Sequence, residues 1–508
     1  MKNQNNKIVS LYDLKKINID SDVRKRIVLC HGVFDLLHLG HIKYFQEAKS
    51  YGDVLIVTVT SDEYVRRGPG RPVFNAEHRA EAIAALDVVD YVAVNQWPTA
   101  IKTIELIKPN FYVKGSDYKN HDNDVTGNIK LEEEAVKKFG GEIKYTSGTT
   151  FSSTRLINQN INLFNGRQKE YINKIRKKYS LDTVLEYFDK MMQQNILLVG
   201  ETIIDEYVPC NALGKAGKDS IMTLQKLKGE KYLGGTLAIA NHLAEFCSDI
   251  NIVSYLGECR EYEKYVTENL KENISFTAIS KSESPTIVKR RYLDSENKAK
   301  IIGVYDINDT DINEAEENKL IDILEENIDQ TDSTIIADYG HGLLTEKVID
   351  FVIKRSKYLC VNTQLNSANI GFHTISKYHK VDYVCMHEGE LRHDFRSRNR
   401  SIEELTKDLY DRVKAKLVTV TQGNQGALCY DVKEGFEQCP AFANKIVDKV
   451  GAGDTLYALT ALAFSVNMPH DISLLLGSLA ATETVAVVGN SKYLDKKTMF
   501  KMIETVFK

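Results

Sequence analysis

The sequence predicts an α/β protein of two domains, each built on a mainly parallel sheet. Short apolar runs of strand length alternate with longer runs of helical apolar spacing. The alternation breaks at a charged helical stretch near residue 161 and resumes near residue 195, and each series carries a glycine-containing turn at a helix N-terminus. Such alternation gives parallel strands joined by crossover helices, with ligand sites at the carboxyl ends of the strands.

After a polar lead-in over residues 1–25, the first series opens on RIVLC (26–30). Its nearly continuous apolar character suits a strand buried on both faces, and IKYFQEAKSYG (42–52) then has helical spacing. DVLIVTV, DYVAV, FYVKG and EIKYT supply further strands and complete a domain over 26–160. Residues 161–194 place apolar side chains at Ile172, Ile175, Tyr179, Leu185 and Phe188 and read as a helical linker. Its basic run KIRKKY reads as a solvated helix face, with contact to an anion as the alternative. The second domain, 195–508, begins with NILLVG and continues through STIIADYG, KYLCVN, DYVCM and KLVTVTQG. Segments 206–232 and 285–305 read as strand-rich excursions from it.

Lys and Arg number 66 against 70 Asp and Glu, a formal charge of -4, so no global charge argues for nucleic acid or an anionic membrane surface. Hydrophobic content of 43% with 27% charged residues is that of a globular chain able to bury large cores. Eight scattered cysteines show no C-x-x-C and no metal-ligand spacing and read as reduced thiols. MKNQNNKIVSLYDLKK lacks the apolar core of a signal peptide, and no apolar run spans a bilayer, so a cytoplasmic protein is expected.

Residues 31–41 read HGVFDLLHLGH where the strand RIVLC gives way to a helix, so His38 and His41 sit at or just before a helix N-terminus. Free backbone N–H groups and the positive end of the helix dipole favour an anion there. Positions three apart project to one side, so both imidazoles can donate to one triphosphate as charge gathers on its α-phosphorus. Gly40 leaves room for a nucleotide to approach. H-x-G-H is short, and a helix start with incidental histidines fits the same residues.

The runs HGVFDLLHLGHIKYFQEAK, RPVFNAEHRAEAIAALDVVDYV (71–92), FYVKGSDY (111–118) and FSSTRLI (151–157) fall in the order of the cytidylyltransferase-like nucleotidyltransferases. Over about residues 25–160 the chain resembles most the adenylyltransferase half of the bacterial bifunctional heptose-phosphate kinase/adenylyltransferases, and more distantly the glycerol-3-phosphate cytidylyltransferases. The resemblance implies a Rossmann-like nucleotidyltransferase domain in which His38 and His41 bind nucleotide phosphates and stabilise the transition state, with Gly32, Phe34 and Gly40 against the nucleotide. It implies that Lys114 neutralises phosphate charge and that Ser152, Ser153 and Thr154 offer hydroxyls and amides at another helix start. Arg155 is a weaker candidate, because an arginine one turn into a helix is more often a solvated surface residue, and Arg79 is read in the same way. TSGTTFSST stands where the cytidylyltransferases carry R-T-E-G-I-S-T-T, so ATP and CTP both stay open.

In the second domain, DKVGAGDT (448–455) precedes the apolar helical stretch LYALTALAFSV. Gly451, Ala452 and Gly453 can turn successive N–H groups into one concavity at a helix N-terminus, which suits the oxygens of a transferring phosphoryl group. Asp454 beside them can accept the proton of an attacking hydroxyl. A glycine-rich turn capped by Asp454 is the plain alternative.

NILLVGETIIDEYV (195–208), LGGTLAIANHLA (233–244), PTIVKRRYL (285–293), ADYGHGLL (337–344), VTQGNQGA (420–427) and DKVGAGDT lie in the order of the ribokinase-like (PfkB) sugar kinases, over about 195–490. The resemblance implies a ribokinase-like α/β domain with a small β lid. By it Asp454 is the base, Gly451 to Gly453 form the anion hole, and Thr421, Gly423 and Gly426 help build the ATP site. Asp205, Gly234 and Gly235 would hold sugar hydroxyls. Lys289 and Arg291 read either as phosphate ligands or as an exposed edge strand, and the resemblance to the heptose kinase favours phosphate. The family's Asn-x-x-Glu, which organises Mg2+ and phosphates, stands as His387-Glu388-Gly389-Glu390, keeping Glu390 as an indirect metal residue. Ala238 replaces an asparagine after the double glycine, and His341 stands where the heptose kinase has lysine. The anion hole and base are intact, so an active kinase with an altered substrate is expected.

The two chemistries make sense in series. ATP with Mg2+ would phosphorylate a sugar or sugar phosphate, and the other domain would couple a sugar phosphate to AMP or CMP, releasing pyrophosphate and an NDP-sugar for glycan synthesis. The heptose enzymes place the kinase first, whereas here the transferase leads. A kinase and cytidylyltransferase for a polyol phosphate is the alternative enzyme, and a non-catalytic sugar or nucleotide sensor is the alternative outside catalysis. Nucleic-acid and membrane partners are not expected. The lid-like excursions of the second domain imply a homodimer.

Overall fold

The computed structural model describes residues 7–17, 25–65, 71–116, 128–147, 164–367, 369–443 and 446–507. The chain divides into two compact units, Met1–Asn165 with Phe500–Lys508, and Gly166–Met499.

The first unit is a five-stranded parallel sheet of β1 (Ile27–Gly32), β2 (Val54–Thr60), β3 (Tyr91–Asn95), β4 (Phe111–Lys114) and β5 (Glu142–Tyr145), in the order β3-β2-β1-β4-β5. The apolar run of β1 has a direct cause. Ile27 and Leu29 enter one buried cluster and Val28 and Cys30 another, so alternate side chains feed cores on opposite faces of the sheet. The order reverses between β1 and β4, and the crevice beyond their carboxyl ends is the topological switch point where open sheets of this kind bind ligands.

The second unit contains β6 (Asn195–Gly200), β7 (Thr202–Lys215), β8 (Met222–Lys226), β9 (Glu230–Gly234), β10 (Asp249–Gly257), β11 (Ile274–Lys281), β12 (Ile287–Asp294), β13 (Lys300–Asp306), β14 (Ser333–Asp338), β15 (Leu359–Thr363), β16 (Tyr383–His387), β17 (Leu417–Thr421), β18 (Ala427–Asp431) and β19 (Gly435–Cys439). Nine of them form one sheet in the order β11-β10-β6-β14-β15-β16-β17-β18-β19, parallel from β11 to β17 and antiparallel thereafter. The strand-rich excursions form a separate sheet, β13-β12-β7-β8, with β9 also paired to β7. Because β12 is hydrogen-bonded on both sides, to β13 and β7, the edge-strand reading of Lys289 and Arg291 is excluded.

The helices Gly166–Lys178 and Leu181–Met191, within the segment read as a linker, pack on the second unit. Gln168 Nε2 donates to Ala441 O at 2.6 Å and Tyr171 OH to Asp471 O at 2.7 Å. The basic face is engaged too: Lys174 pairs with Glu437 at 2.5 Å and Lys178 with Asp471 at 3.0 Å. Among the described residues no helix is long and apolar enough to cross a membrane.

Candidate active sites

At the switch point of the first unit, β1 ends in His31 and Gly32, and the helix Leu39–Ser50 starts after a short loop. His38 is its N-cap, with Nδ1 accepting from the Gly40 N–H at 3.0 Å. A neutral imidazole that accepts at Nδ1 carries its proton on Nε2, so Nε2 of His38 is a donor. Burial also lowers the His38 pKa, which favours that neutral form. The His41 ring stacks on His38 with centroids 3.9 Å apart and planes 22° apart, and the Phe34 ring meets His41 edge-on at 5.2 Å. The spacing read from sequence thus brings both imidazoles side by side at one helix start. Gly32 has a packing reason, since a Cβ there would lie 2.9 Å from the Phe34 ring, and Phe34 itself takes a φ of 49°.

Lys114 ends β4, beside β1, and forms a buried ion pair of 2.9 Å with Glu132, which also accepts from Tyr112 OH at 3.0 Å. Ser152, Ser153 and Thr154, with Arg155, lie outside the described residues. Two residues that sequence reasoning passed over stand close to this crevice. His31 Nδ1 lies 3.0 Å from Thr58 Oγ1, and burial pushes its pKa down to about 4. Buried Asp35 accepts from the amides of Val73 (2.7 Å) and Phe74 (3.1 Å) and pairs with Arg71 at 3.2 Å.

Arg79 overturns its reading as a solvated residue: it is 1% exposed. Its guanidinium donates to the carbonyls of Phe74 (2.8 Å), Val33 (2.5 Å) and Thr60 (2.8 Å) and pairs with Asp62 at 2.5 Å, tying the loop after β1 to the helix that follows residue 75. Each buried acceptor left without a donor costs about 1–3 kcal/mol, so Arg79→Met is expected to destabilise the first unit by about 3 kcal/mol. Trp97, the single tryptophan, lies in this unit, and its fluorescence during urea unfolding checks the value.

In the second unit the helix Ala452–Ser465 starts at Gly451, whose φ is 83°. A Cβ on Gly451 would also lie 2.5 Å from Asn490 Oδ1, so backbone conformation and close approach both require glycine. The first amides of a helix have no intrahelical acceptor; Ala452 N makes a long bond of 3.4 Å to Lys449 O, and the N–H groups of Gly451 and Gly453 at this helix start suit an anion. Asp454, in the first turn, is buried; Tyr339 OH donates to its Oδ1 at 3.1 Å, and Gln364 Nε2 donates to the same oxygen. Burial pushes the Asp454 pKa up to about 6 against those two hydrogen bonds, while Asp205 adds to the rise and Lys289 opposes it.

Asp205 on β7 lies beside the double glycine: a Cβ on Gly234 would sit 2.4 Å from its Oδ2, and Gly235 takes a φ of 54° against Ile203. Arg291 Nη1 pairs with Asp205 Oδ1, and Asn490 Nδ2 reaches Asp205 Oδ2 at 3.4 Å. Lys289, in register with Asp205 across β12 and β7, has its ammonium 5.6 Å from the centroid of the Tyr339 ring. Burial lowers its pKa, and among the described residues it has no ion-pair partner, so it is the cation of this pocket still available to an anion. Glu201 accepts from the amides of Tyr339 (3.0 Å) and His341 (3.1 Å), and burial together with Asp338 pushes its pKa up to about 7. His341 is buried with Nδ1 2.6 Å from Asp309, and burial followed by the Lys289 charge pushes its pKa down to about 4. A neutral imidazole thus occupies this position.

Thr421 ends β17, and Gly423 with a φ of 57° opens a short helical turn with exposed surface around it. Gly426 has a local reason instead, because a Cβ there would lie 2.0 Å from Cys439 O. Glu390 receives two backbone N–H groups, from His387 at 2.7 Å and Leu365 at 3.2 Å, and burial pushes its pKa up to about 7. The histidine that replaces asparagine at 387 caps the same helix, its Nδ1 accepting from Gly389 N at 3.0 Å. Gln364 and Asn490 carry no sequence signal of their own, and Tyr339 lies in the run ADYGHGLL without being singled out there. Their positions follow from the order of strands in the sheet.

Comparison with known proteins gives a separate family match for each part of the chain. Residues 29–185 match the family described as cytidylyltransferase-like, and residues 193–497 match the pfkB family of carbohydrate kinases. A protein named Bifunctional protein HldE from Geobacter metallireducens is 42% identical over 135 residues, 26% of each chain. One of the same name from Sulfurimonas denitrificans is 52% identical over 96 residues, 18% of this chain and 20% of that one. These matches span about a quarter of the relatives' length or less. A mutant phosphofructokinase-2 from Escherichia coli overlays with a TM-score of 0.51 at 15% identity, over 62% of this chain and 100% of that one, which speaks for the fold. The chain belongs to the pfkB family of carbohydrate kinases and carries a cytidylyltransferase-like domain ahead of its kinase domain.

Proposed function

We propose that this protein phosphorylates a sugar or sugar phosphate with ATP in the domain of residues 195–508 and couples a sugar phosphate to a nucleotide in the domain of residues 26–160. The observation that carries the reading is the pairing of a buried carboxylate, Asp454, with the Gly451–Gly453 turn at the start of the same helix. In the kinase reaction the acceptor hydroxyl gives its proton to Asp454 as its oxygen bonds the γ-phosphorus and the bridging P–O bond breaks to release ADP. The amides of Gly451, Ala452 and Gly453 receive the charge that gathers on the transferring oxygens. Asp205 and the double glycine orient the acceptor, and Lys289 meets an anionic group on it, with Arg291 held by Asp205 beside it. Thr421 and Gly423 border the ATP.

In the transferase reaction an oxygen of the sugar phosphate attacks the α-phosphorus of a nucleoside triphosphate and pyrophosphate leaves. His38 donates through Nε2 and His41 stands beside it, while Lys114 supplies positive charge from the end of β4. Mg2+ keeps much of its hydration and is usually held by one or two carboxylates together with substrate phosphates. Glu390 suits such an indirect role: burial has raised its pKa, and a nearby cation would favour its ionised form. When bound, Mg2+ would offset phosphate charge. The resemblance to the bacterial heptose-phosphate kinase/adenylyltransferases supports an ADP-heptose-like product, although the domain order here is the reverse of theirs. Eight cysteines without a disulfide support a cytoplasmic setting.

Mass spectrometry of products from five- to seven-carbon sugars, sugar monophosphates and polyol phosphates, each with ATP or CTP and Mg2+, tests both halves. A phosphorylated product and an NDP-sugar are expected; nucleotide binding without any product would leave the sensor reading standing. Homodimerisation through the lid sheet is expected as well. Leu213, Met222 and Ile302 on it are 62%, 66% and 55% exposed, more apolar surface than a solvated sheet normally shows. Light scattering at micromolar concentration should give twice the chain mass, and Met222→Glu with Ile302→Glu should return it to the monomer.

A further inference from the structure

Asp454 is held asymmetrically. Oδ1 takes both hydrogen bonds, from Tyr339 OH and Gln364 Nε2, whereas Oδ2 has no partner among the described residues. The two donors come from adjacent strands of the sheet: Tyr339 directly follows β14 and Gln364 directly follows β15. Their backbones are fixed in turn. Gln364 N donates to Asp338 O at 2.9 Å, Tyr339 N to Glu201 at 3.0 Å, and the side-chain amides of Asn366 and Asn369 both donate to Tyr339 O at 2.9 Å. Leu365 N donates to Glu390 at 3.2 Å, so the segment after Gln364 is tied to the helix following β16 as well.

We propose that Tyr339 and Gln364 are positioning residues that clamp Oδ1 of Asp454, so that Oδ2 alone is presented to the acceptor hydroxyl and the carboxylate stays ionised in a buried site. The inference rests on the assignment of Asp454 as the kinase base. A carboxylate pinned through one oxygen cannot rotate about its Cβ–Cγ bond, so its free lone pair keeps a single direction and the proton passes to Oδ2. Two donors on the ionised form also counter the desolvation that favours the protonated one.

The charged and titratable groups facing Asp454 come from several elements. They are Asp205 on β7, Lys289 on β12, Tyr339 after β14, Cys385 on β16 and Glu390 on the helix that follows β16. None of these except Tyr339 bonds the carboxylate, so the clamp can be weakened without removing a charge.

The test is the pH dependence of kcat/KM for the full chain, with Mg2+-ATP and the fastest acceptor of the panel, in Tyr339→Phe, Gln364→Met and the double variant. Loss of one hydrogen bond to an ionised carboxylate should move the acidic limb up by about one pH unit, and loss of both should move it further. Well above the limb each single variant should return to within about ten-fold of wild type, with KM for ATP unchanged. A role in packing alone would lower activity equally at every pH, and that result, or a limb that stays in place, overturns the clamp. Because Glu390 titrates in the same range, a limb moved by Glu390→Gln and not by Tyr339→Phe would also overturn it. Asp454→Asn separates the two levels: if it keeps its kinase activity, or if no acceptor is found, the base assignment falls and the clamp with it, whereas an inactive Asp454→Asn beside an unmoved limb refutes the clamp alone.

Discussion

His41→Ala should lower pyrophosphate release about 10²–10³-fold, the usual loss when one preorganised donor is removed from a charged transition state, while ADP release by the other domain stays within two-fold of wild type. The geometry makes this a chemical test and not a folding one. The helix Leu39–Ser50 is capped by His38, through its Nδ1 and the Gly40 amide, and that bond does not involve His41. Removing the His41 ring deletes the imidazole stacked on His38 at 3.9 Å and uncovers the edge of Phe34, both at the crevice rim. His38→Ala would be a poorer probe, because it removes a donor together with a cap worth about 1 kcal/mol. A coupled pyrophosphate assay on the His41→Ala protein, with its unfolding followed through Trp97, separates the two effects. Near-normal nucleotidyl transfer in a folded variant would return the H-x-G-H run to an incidental helix start.

What the sequence discloses about these sites, and what it hides, divides along the range of the interactions. The H-x-G-H and G-A-G-D turns are legible because each lies at the start of a helix, with its glycines and side chains within a few residues of one another. Parallel sheets are legible for the same reason, since alternation along the chain forces crossover connections. Strand order is not local, and the errors follow from that. Lys289 and Arg291 could pass for edge residues until β13 paired along the other side of β12. The basic helices after residue 165 look solvated because their partners, Glu437 and Asp471, lie 263 and 293 residues away from Lys174 and Lys178. Arg79 was misread from its place in a helix, when its acceptors belong to three separate loops and strand ends. Tyr339 and Gln364 meet at Asp454 through the adjacency of β14 and β15, which no motif encodes. The replaced positions are similar: His387 is understood once it is seen to cap its own helix, and His341 once Asp309 is found against its Nδ1.

Asp454→Asn should reduce kinase turnover by about 10²–10⁴, the range that general-base assistance contributes, with KM for ATP nearly unchanged. The amide has the shape of the carboxylate and retains one oxygen for Tyr339 and Gln364. Held by those donors, it turns its NH2 toward the acceptor hydroxyl, where a donor now stands in place of the lone pair that takes the proton. The same substitution should not weaken the fold. The pKa of Asp454 in the folded protein, about 6, lies above its ordinary value of 3.8, so the unfolded state binds fewer protons between those values and stability falls as pH rises through that window. Above about pH 6 the penalty for burying the charge is complete, and a neutral amide is free of it. At pH 7.5, then, the variant should melt no lower than wild type while turning over far more slowly, and wild-type turnover itself should decline as pH drops through about 6. Nucleotidyl transfer to a pre-phosphorylated substrate should continue at the wild-type rate, because the H-x-G-H site belongs to the other domain. Kinase turnover within a few-fold of wild type in a stably folded Asp454→Asn protein would show that another group takes the proton, and the amides of Gly451 to Gly453 would then be left as the main source of catalysis in this turn.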